Sequence, residues 1–182
     1  SRTYYKNLWA DVRKALKPGD WVFIELGHND NGPYDSGRAR ASIPGIGNDS
    51  LCVTIKETGV KETVYTYGEY MRRFVRECKA AGAHPVLFSL TPRDAWKDGK
   101  IVRVDKTFGL WAKQVAEAEN VPFVDLNDIS ARKFEQYGPE KERYHFYLDH
   151  IHSSRFGAMM NARSAAEGIA MSSDPRLASL QE

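Results

Sequence analysis

The chain has 182 residues, of which 42% are hydrophobic and 27% are charged, as expected for one globular domain with a sizeable core. Its net charge of +2 comes from interleaved acidic and basic residues, which gives no basic footprint for nucleic acid. No apolar run approaches the roughly 20 residues that a membrane-spanning helix needs. We therefore expect neither a nucleic acid nor a membrane among the partners of this chain.

Helical and extended patterns alternate from the start of the chain. Apolar residues at helical spacing predict a helix over 4–17, which Pro18 and Gly19 end. The largely apolar run 21–26 predicts a buried strand. Residues from 27 to about 60 are rich in glycine and proline and are predicted to be irregular. A loop of that length inside a compact domain is usually functional or disordered.

The rest of the chain continues the alternation. Segment 64–67 is predicted to be extended, and the charged segment 138–143 is predicted to be a turn. The further predicted helices cover 68–81, 106–119, 128–137 and 154–170, and the further predicted strands cover 85–90 and 121–126. Strands separated by helices indicate an α/β fold, with a parallel sheet covered by helices on both faces. Only three such strands are evident, which is few for this kind of sheet.

The two cysteines, Cys52 and Cys78, are too few for a disulfide framework or for a structural zinc site made of thiolates. Cys78 falls on the predicted helix 68–81, among its inward residues, and is predicted to be a buried thiol.

A Gly-His-Asn-Asp motif at 27–30 directly follows the first predicted strand. Ligands of an open α/β sheet bind just past the carboxyl ends of its strands. An amide such as that of Asn29 can donate a hydrogen bond there to a developing oxyanion. The alternatives are that Asn29 caps a loop, as turn-forming asparagines do, and that His28 is a structural histidine.

A second polar motif places Asp149 three residues before His152. One short turn would bring the carboxylate to Nδ1 of the ring and select the tautomer that a general base needs. The alternatives are a solvated surface turn and a zinc site in which His150 and His28 or Asp30 join these two residues. Zinc is disfavoured because an extended segment would point the two neighbouring histidines away from Asp149.

Together these motifs resemble those of the rhamnogalacturonan acetylesterase branch of the SGNH (GDSL-type) hydrolases. Segment 27–30 corresponds to the third block of that family, and 149–152 corresponds to its fifth. Segments 66–70, 89–92 and 149–158 also resemble this branch, and the similarity spans essentially the whole chain. The resemblance implies a flavodoxin-like three-layer α/β/α fold and a Ser-His-Asp deacetylase that removes acetyl groups from the rhamnogalacturonan of pectin. It also implies an extracellular or periplasmic protein without a cofactor.

The resemblance assigns three site residues: His152 as the general base, Asp149 as its orienting acid and Asn29 as an oxyanion donor. Arg93 follows the predicted strand 85–90 and thus lies at the same edge of the sheet as Asn29. We consider it a candidate for binding the carboxylate of a galacturonate, because a guanidinium pairs with carboxylates through two hydrogen bonds. An ordinary surface charge is the alternative for this arginine.

The chain departs from the family pattern at the nucleophile. The strand that ends in Gly-Asp-Ser is not found, and the similar run 47–50 has no apolar strand before it. In the flavodoxin-like order the first strand pairs beside 21–26. We therefore expect 1–182 to be a single domain that is incomplete at its N-terminal side, completed by a separate segment or a second chain. The alternative is an inactive fragment or a carbohydrate-binding or interaction module.

Overall fold

A computed structural model of the chain describes residues 1–147 and 149–181. None of its described helices is both long and apolar enough to span a bilayer. In chain order, the helices and strands are α1 (Arg2–Asn7), α2 (Trp9–Ala15), β1 (Trp21–Ile24), β2 (Ser50–Thr54), β3 (Lys61–Tyr65), α3 (Tyr67–Ala80), β4 (His84–Phe88), β5 (Trp96–Lys97), β6 (Lys100–Ile101), α4 (Phe108–Ala118), β7 (Phe123–Val124), α5 (Leu126–Glu135), α6 (Pro139–Glu142), α7 (Arg155–Ala170) and α8 (Pro175–Ala178). Two 3₁₀ turns cover Arg143–His145 and Ser179–Gln181.

The central sheet is parallel and has the order β1-β4-β7 in the described part of the chain. Trp21 of β1 lies opposite His84 of β4, and Leu87 of β4 lies opposite Phe123 of β7. The predicted parallel sheet is therefore confirmed. Because its strands run in one direction, their carboxyl ends meet at one edge of the sheet.

Alternate residues of β4 face two separate cores. Leu87 packs in the same cluster as Phe74 of α3 and the inner face of α4. Val86 packs on the other side of the sheet with Ile169 of α7 and Leu177 of α8. Helices thus cover both faces of the sheet. Successive side chains of a strand point to opposite faces, so a buried parallel strand needs a core on each side. This is the predicted three-layer α/β/α architecture.

The first predicted helix, 4–17, is two helices. The backbone leaves the helical region at Leu8 (φ −121°), so α1 ends before this residue and α2 begins after it. The helix predicted over 68–81 is confirmed as α3. Thr66 caps it by accepting a hydrogen bond from the N–H of Glu69 (3.0 Å), and Gly82 (φ +76°) follows its end.

Two hairpins were missed by the sequence prediction. β2 and β3 pair antiparallel, with Cys52 opposite Thr63. β2 lies inside the stretch predicted to be irregular, whereas β3 ends within the segment 64–67 that was predicted to be extended. β2 is mostly exposed on both faces, so it has no hydrophobic alternation to reveal it. β5 and β6 are joined by Asp98 and Gly99, both at positive φ, which is the Asp-Gly signal of a two-residue hairpin turn.

Two glycines let helix α7 approach the rest of the fold closely. Ala158 and Ala162 of the same helix are exposed, whereas Ala165 is half-buried against the cluster of Ile169 and Leu177. A Cβ on Gly157 would lie 2.0 Å from the carbonyl oxygen of His145, and one on Gly168 would lie 2.4 Å from a side-chain carbon of Val124. The charged segment predicted to be a turn at 138–143 contains the short helix α6.

Candidate active site

Gly27 makes the sharp turn that follows β1. Its φ of +142° is one that L side chains rarely adopt, and a Cβ there would lie 3.3 Å from both Leu90 and Phe108. The N–H of Asp30 donates to the carbonyl of Gly27 at 3.0 Å and closes the turn. The turn leaves Asn29 exposed to solvent.

Asp30 anchors this turn from inside. Its buried carboxylate accepts hydrogen bonds from the hydroxyl of Ser1 and from Oγ of Ser42, the latter at 2.7 Å. The N–H of Ser42 also donates to the carbonyl of Asp30 at 3.0 Å. These contacts bind the long loop and the start of α1 to the residue directly after Asn29. Asp30 therefore holds the local structure together and does not point into open space.

His28 connects the ends of two neighbouring strands. Its Nε2 lies 3.1 Å from Oγ1 of Thr91, which follows β4, and 3.6 Å from Oε1 of Glu25. Its Nδ1 is buried and makes no hydrogen bond within the described part of the chain. The contacts of Nε2 suit a structural role for His28, whereas its buried Nδ1 is not satisfied by the described residues.

A cavity of about 530 Å³ opens beside the Asn29 turn. Its lining includes Asn29, His28 and Arg40, together with Tyr4 of α1 and Leu8, which lies between α1 and α2. The Asn29 side chain makes no hydrogen bond to any residue that the structure describes, so its amide is available to a ligand. The volume lies in the range of small-molecule sites, which is roughly 300–1,000 Å³.

Asp149 and His152 are in direct contact. Oδ2 of Asp149 accepts a hydrogen bond from Nδ1 of His152 at 2.6 Å, as the spacing of the motif predicts. Oδ1 accepts the backbone N–H groups of Ile151 and His152, both at 2.7 Å. The hydrogen bond from the ring, followed by the two from the backbone, holds the pKa of Asp149 well below its usual range. The ring is bound through Nδ1, and its side chain is 78% exposed, so Nε2 is left open to a reactant.

Backbone contacts fix the position of this turn. The N–H of Tyr147 donates to the carbonyl of His152 at 2.8 Å on one side. Ser154 then caps α7, accepting the N–H of Gly157 at 3.1 Å. On the other side, the N–H of Asp94 donates to the carbonyl of His150 at 2.9 Å. The turn is thus attached to the segment that follows β4.

Arg93 attaches the first motif to that same segment. Its Nη2 donates to the carbonyl of His28 at 2.8 Å, and the next residue, Asp94, holds the carbonyl of His150. The sequence made Arg93 a candidate for binding a substrate carboxylate, with an ordinary surface charge as the alternative, and did not reveal this positioning contact. The signal available was its place directly after a strand of the sheet. Binding of a substrate carboxylate by Arg93 stays a prediction.

The serines with described contacts are engaged elsewhere. Ser89 donates to Asp125 at 2.8 Å, Ser1 and Ser42 bind Asp30, and Ser50 begins β2 opposite Tyr65. Among the residues that the structure describes, no serine hydroxyl forms a hydrogen bond with His152. Outside Leu148 and Glu182, the chain therefore does not place a serine nucleophile against the imidazole.

The zinc alternative lacks a set of ligands. Across 1–147 and 149–181, no three side chains of His, Cys, Asp or Glu are grouped so that they could hold a metal ion. Segment 149–152 is a turn, whereas the sequence argument against zinc assumed an extended strand. Both oxygens of Asp149 are already used by Ile151 and His152.

Residues 2–158 match the family described as GDSL-like Lipase/Acylhydrolase. The chain belongs to this family. The GDSL-like chain is 30% identical over 161 residues to a rhamnogalacturonan acetylesterase of Emericella nidulans, and 25% identical over 175 residues to the rhamnogalacturonan acetylesterase RhgT of Bacillus subtilis. These matches cover 88% and 87% of the chain, but only 65% and 64% of the relatives. The predicted family and its rhamnogalacturonan acetylesterase-like branch are confirmed.

Solved structures show the same GDSL-like fold. The protein YXIM from Bacillus subtilis superposes with a TM-score of 0.69 at 24% identity, covering 92% of this chain and 42% of its own. The acetylxylan esterase Axe2 from Geobacillus stearothermophilus superposes with a TM-score of 0.53 at 21% identity, covering 90% of this chain and 66% of its own. Similarity at this level of identity establishes the fold alone.

Proposed function

We propose that this chain carries the general base, its orienting acid and an oxyanion donor of a carbohydrate esterase that removes O-acetyl groups from rhamnogalacturonan. One observation carries the proposal. Asp149 and His152 are in contact at 2.6 Å on a turn that is attached to residue 94, and the preceding residue, Arg93, holds the turn that carries Asn29. The names of the relatives support the substrate.

In the proposed reaction a serine hydroxyl attacks the acetyl carbonyl carbon, and Nε2 of His152 takes its proton. The bond to the sugar oxygen then breaks, and His152 returns the proton to the leaving hydroxyl. Water hydrolyses the acetyl-serine with the same base and releases acetate. Asp149 stabilises the imidazolium in both steps, and the amide of Asn29 donates to the oxyanion.

The free edge of β1 is the proposed position of the segment that carries the serine. In the described part of the chain β1 pairs with β4 alone. A groove of about 280 Å³ follows this edge and is lined by the consecutive residues 22–26 with Tyr4, Trp9 and Phe74. Phe23 is 48% exposed. An unpaired edge with exposed apolar side chains favours addition of another strand.

The occupant that we propose for this groove is an apolar strand parallel to β1 with a serine directly after it. Its carboxyl end would open onto the cavity lined by Asn29, because parallel neighbours end at the same edge of a sheet. The curated relatives are longer than this chain, which supports a segment of this kind. A second chain could supply the same strand.

Cationic side chains near the cavity support an acidic substrate. Arg40 lines the cavity and forms no ion pair with any described residue. One guanidinium nitrogen of Arg93, Nη2, donates to the carbonyl of His28. Guanidinium groups suit the carboxylates of galacturonate, whereas xylan with only neutral sugars offers them no partner. Pectin is outside the cytoplasm, so an extracellular or periplasmic location is part of the proposal.

The test is acetate release by the chain together with its serine-bearing segment. We expect a higher kcat/KM for acetylated rhamnogalacturonan than for acetylated xylan. A preference for xylan would contradict the substrate, and no release from either polymer would contradict the activity. The 182-residue chain alone is expected to release no acetate. If it does, and a serine-directed phosphonate labels one of its residues, the proposed origin of the nucleophile is wrong.

A further inference from the structure

Tyr147 lies directly across from His152 in a short antiparallel contact. Phe146 and Ser153 form an antiparallel bridge, flanked by hydrogen bonds from the N–H of Tyr147 to the carbonyl of His152 and from the N–H of Ser154 to the carbonyl of residue 145, both 2.8 Å. This pattern places residues 147 and 152 opposite each other. Opposed residues of an antiparallel pair have Cβ atoms about 4.5–5.5 Å apart.

Both rings lie at the surface beside this contact. Phe146 is 5% exposed and packs in the cluster of Phe134 and Met160. Tyr147, its neighbour, is instead 72% exposed, and the His152 side chain is 78% exposed.

The Tyr147 ring has no described structural contact that would account for its position. It makes no ring contact and no side-chain hydrogen bond with any residue in the described part of the chain. Tyr137, by contrast, packs edge-on against Phe156 at 5.9 Å. An aromatic ring left in water is a large apolar surface with a polar hydroxyl at its end, which suits contact with a ligand that has both characters.

We propose that Tyr147 is the platform on which a pyranose ring of the substrate stacks next to the general base. The C–H face of the sugar packs on the phenol ring, and the hydroxyl groups at the sugar's rim stay in water. Stacking at this position would orient the ester oxygen of the sugar toward Nε2 of His152. This inference rests on the proposed function, because it takes the ligand to be a carbohydrate.

Binding to the 182-residue chain tests the inference without any need for a nucleophile. The probe is a deacetylated rhamnogalacturonan oligosaccharide, titrated by calorimetry. We expect Tyr147→Ala to weaken binding about tenfold, and Tyr147→Phe to bind within about twofold of wild type because the ring is retained. Met171→Ala removes an equally exposed side chain (71%) at the far end of α7 and is expected to leave the affinity unchanged.

Several results would overturn the inference. They are an unchanged affinity in Tyr147→Ala, an equal loss in Tyr147→Phe, or no measurable binding by the wild-type chain at millimolar oligosaccharide. Turnover by the chain with its serine-bearing segment separates this inference from the proposed function. Tyr147→Ala should lower kcat/KM on the acetylated oligosaccharide but not on 4-nitrophenyl acetate, which has no sugar. If the wild type turns over neither ester yet binds the oligosaccharide through Tyr147, the proposed esterase function is contradicted and the role of Tyr147 in sugar binding is supported.

Discussion

The guanidinium of Arg93 donates to the backbone carbonyl of His28 at 2.8 Å, and this contact links two motifs that are far apart in the sequence. The following residue, Asp94, donates its N–H to the carbonyl of His150 at 2.9 Å. Two consecutive residues after β4 thus hold the turn that carries Asn29 and the turn that carries the histidine base. The relative position of the two turns depends on this short segment.

Replacing Arg93 with methionine is expected to lower kcat by about 10–10² fold, because small displacements of catalytic groups have effects of this size. Loss of a hydrogen bond from a charged donor should also lower the free energy of unfolding by about 1.5 kcal/mol. Both are measured on the enzyme with its serine-bearing segment. Arg38→Met is the control, since Arg38 is exposed. Equal kcat values for the two variants would show that Arg93 does not position the site.

Replacing Asn29 with alanine removes the proposed oxyanion donor. The expected loss is about 10²–10³ in kcat, which is typical of a single donor of this kind. KM should change little, because the donor acts on charge that develops in the transition state. Asn31→Ala removes the same type of exposed side-chain amide two residues further along the chain and should leave kcat unchanged. If Asn29→Ala keeps the wild-type rate, Asn29 has no place in the mechanism.

Replacing Asp149 with asparagine keeps the size of the side chain but removes the charge that selects the tautomer of His152. A loss of about 10⁴ in kcat is expected, as for the same change in a serine protease triad. Asp11→Asn is the matched control, because Asp11 is on the surface of α2 with an 83% exposed side chain. Similar rates for the two variants would contradict the orienting role.

The Asp149 carboxylate is expected to stay ionised to unusually low pH. Its pKa is depressed below the ordinary 3.8, so its stabilisation of the turn is complete above about pH 4 and is lost only as pH falls through the depressed value. Carbon-13 NMR of the carboxyl group measures this pKa. In His152→Gln the pKa should rise, because the ring hydrogen bond is its largest cause. A wild-type titration at or above 3.8 would be inconsistent with the contact.

The two cysteines should differ in reactivity. Cys52 is exposed on β2, whereas Cys78 is fully buried in α3, and burial raises its pKa to about 12. A thiol reagent such as dithionitrobenzoate should titrate one thiol in the native chain and two in denaturant. Two reactive thiols in the native chain would show that the α3 face of the sheet is open.

The parts of the fold with a strong hydrophobic period could be predicted from the sequence. Helix α3 and strand β4 bury regular apolar positions, so their places were evident within about two residues. The β2–β3 hairpin could not be found in this way because β2 is mostly exposed on both faces and has no hydrophobic alternation. The close packing of α7 could not be predicted from apolar positions, because Gly157 and Gly168 contribute close approach and not apolar surface.

The site divides along the same lines. The contact between Asp149 and His152 is local, so their spacing was sufficient to predict it. The bonds from residues 93 and 94 join segments distant in sequence, and no single-sequence pattern encodes such pairings. The position of Tyr147 likewise depends on an antiparallel bridge that becomes visible only in three dimensions.

We propose that Asn29 and His152 act on the same ester. The most direct test is a crystal structure of the chain with its serine-bearing segment after inactivation by diethyl 4-nitrophenyl phosphate. We expect a phosphoryl oxygen about 2.7–3.1 Å from Nδ2 of Asn29, with Nε2 of His152 facing the phosphorylated serine. An adduct that contacts only one of these two residues, or neither of them, would contradict it.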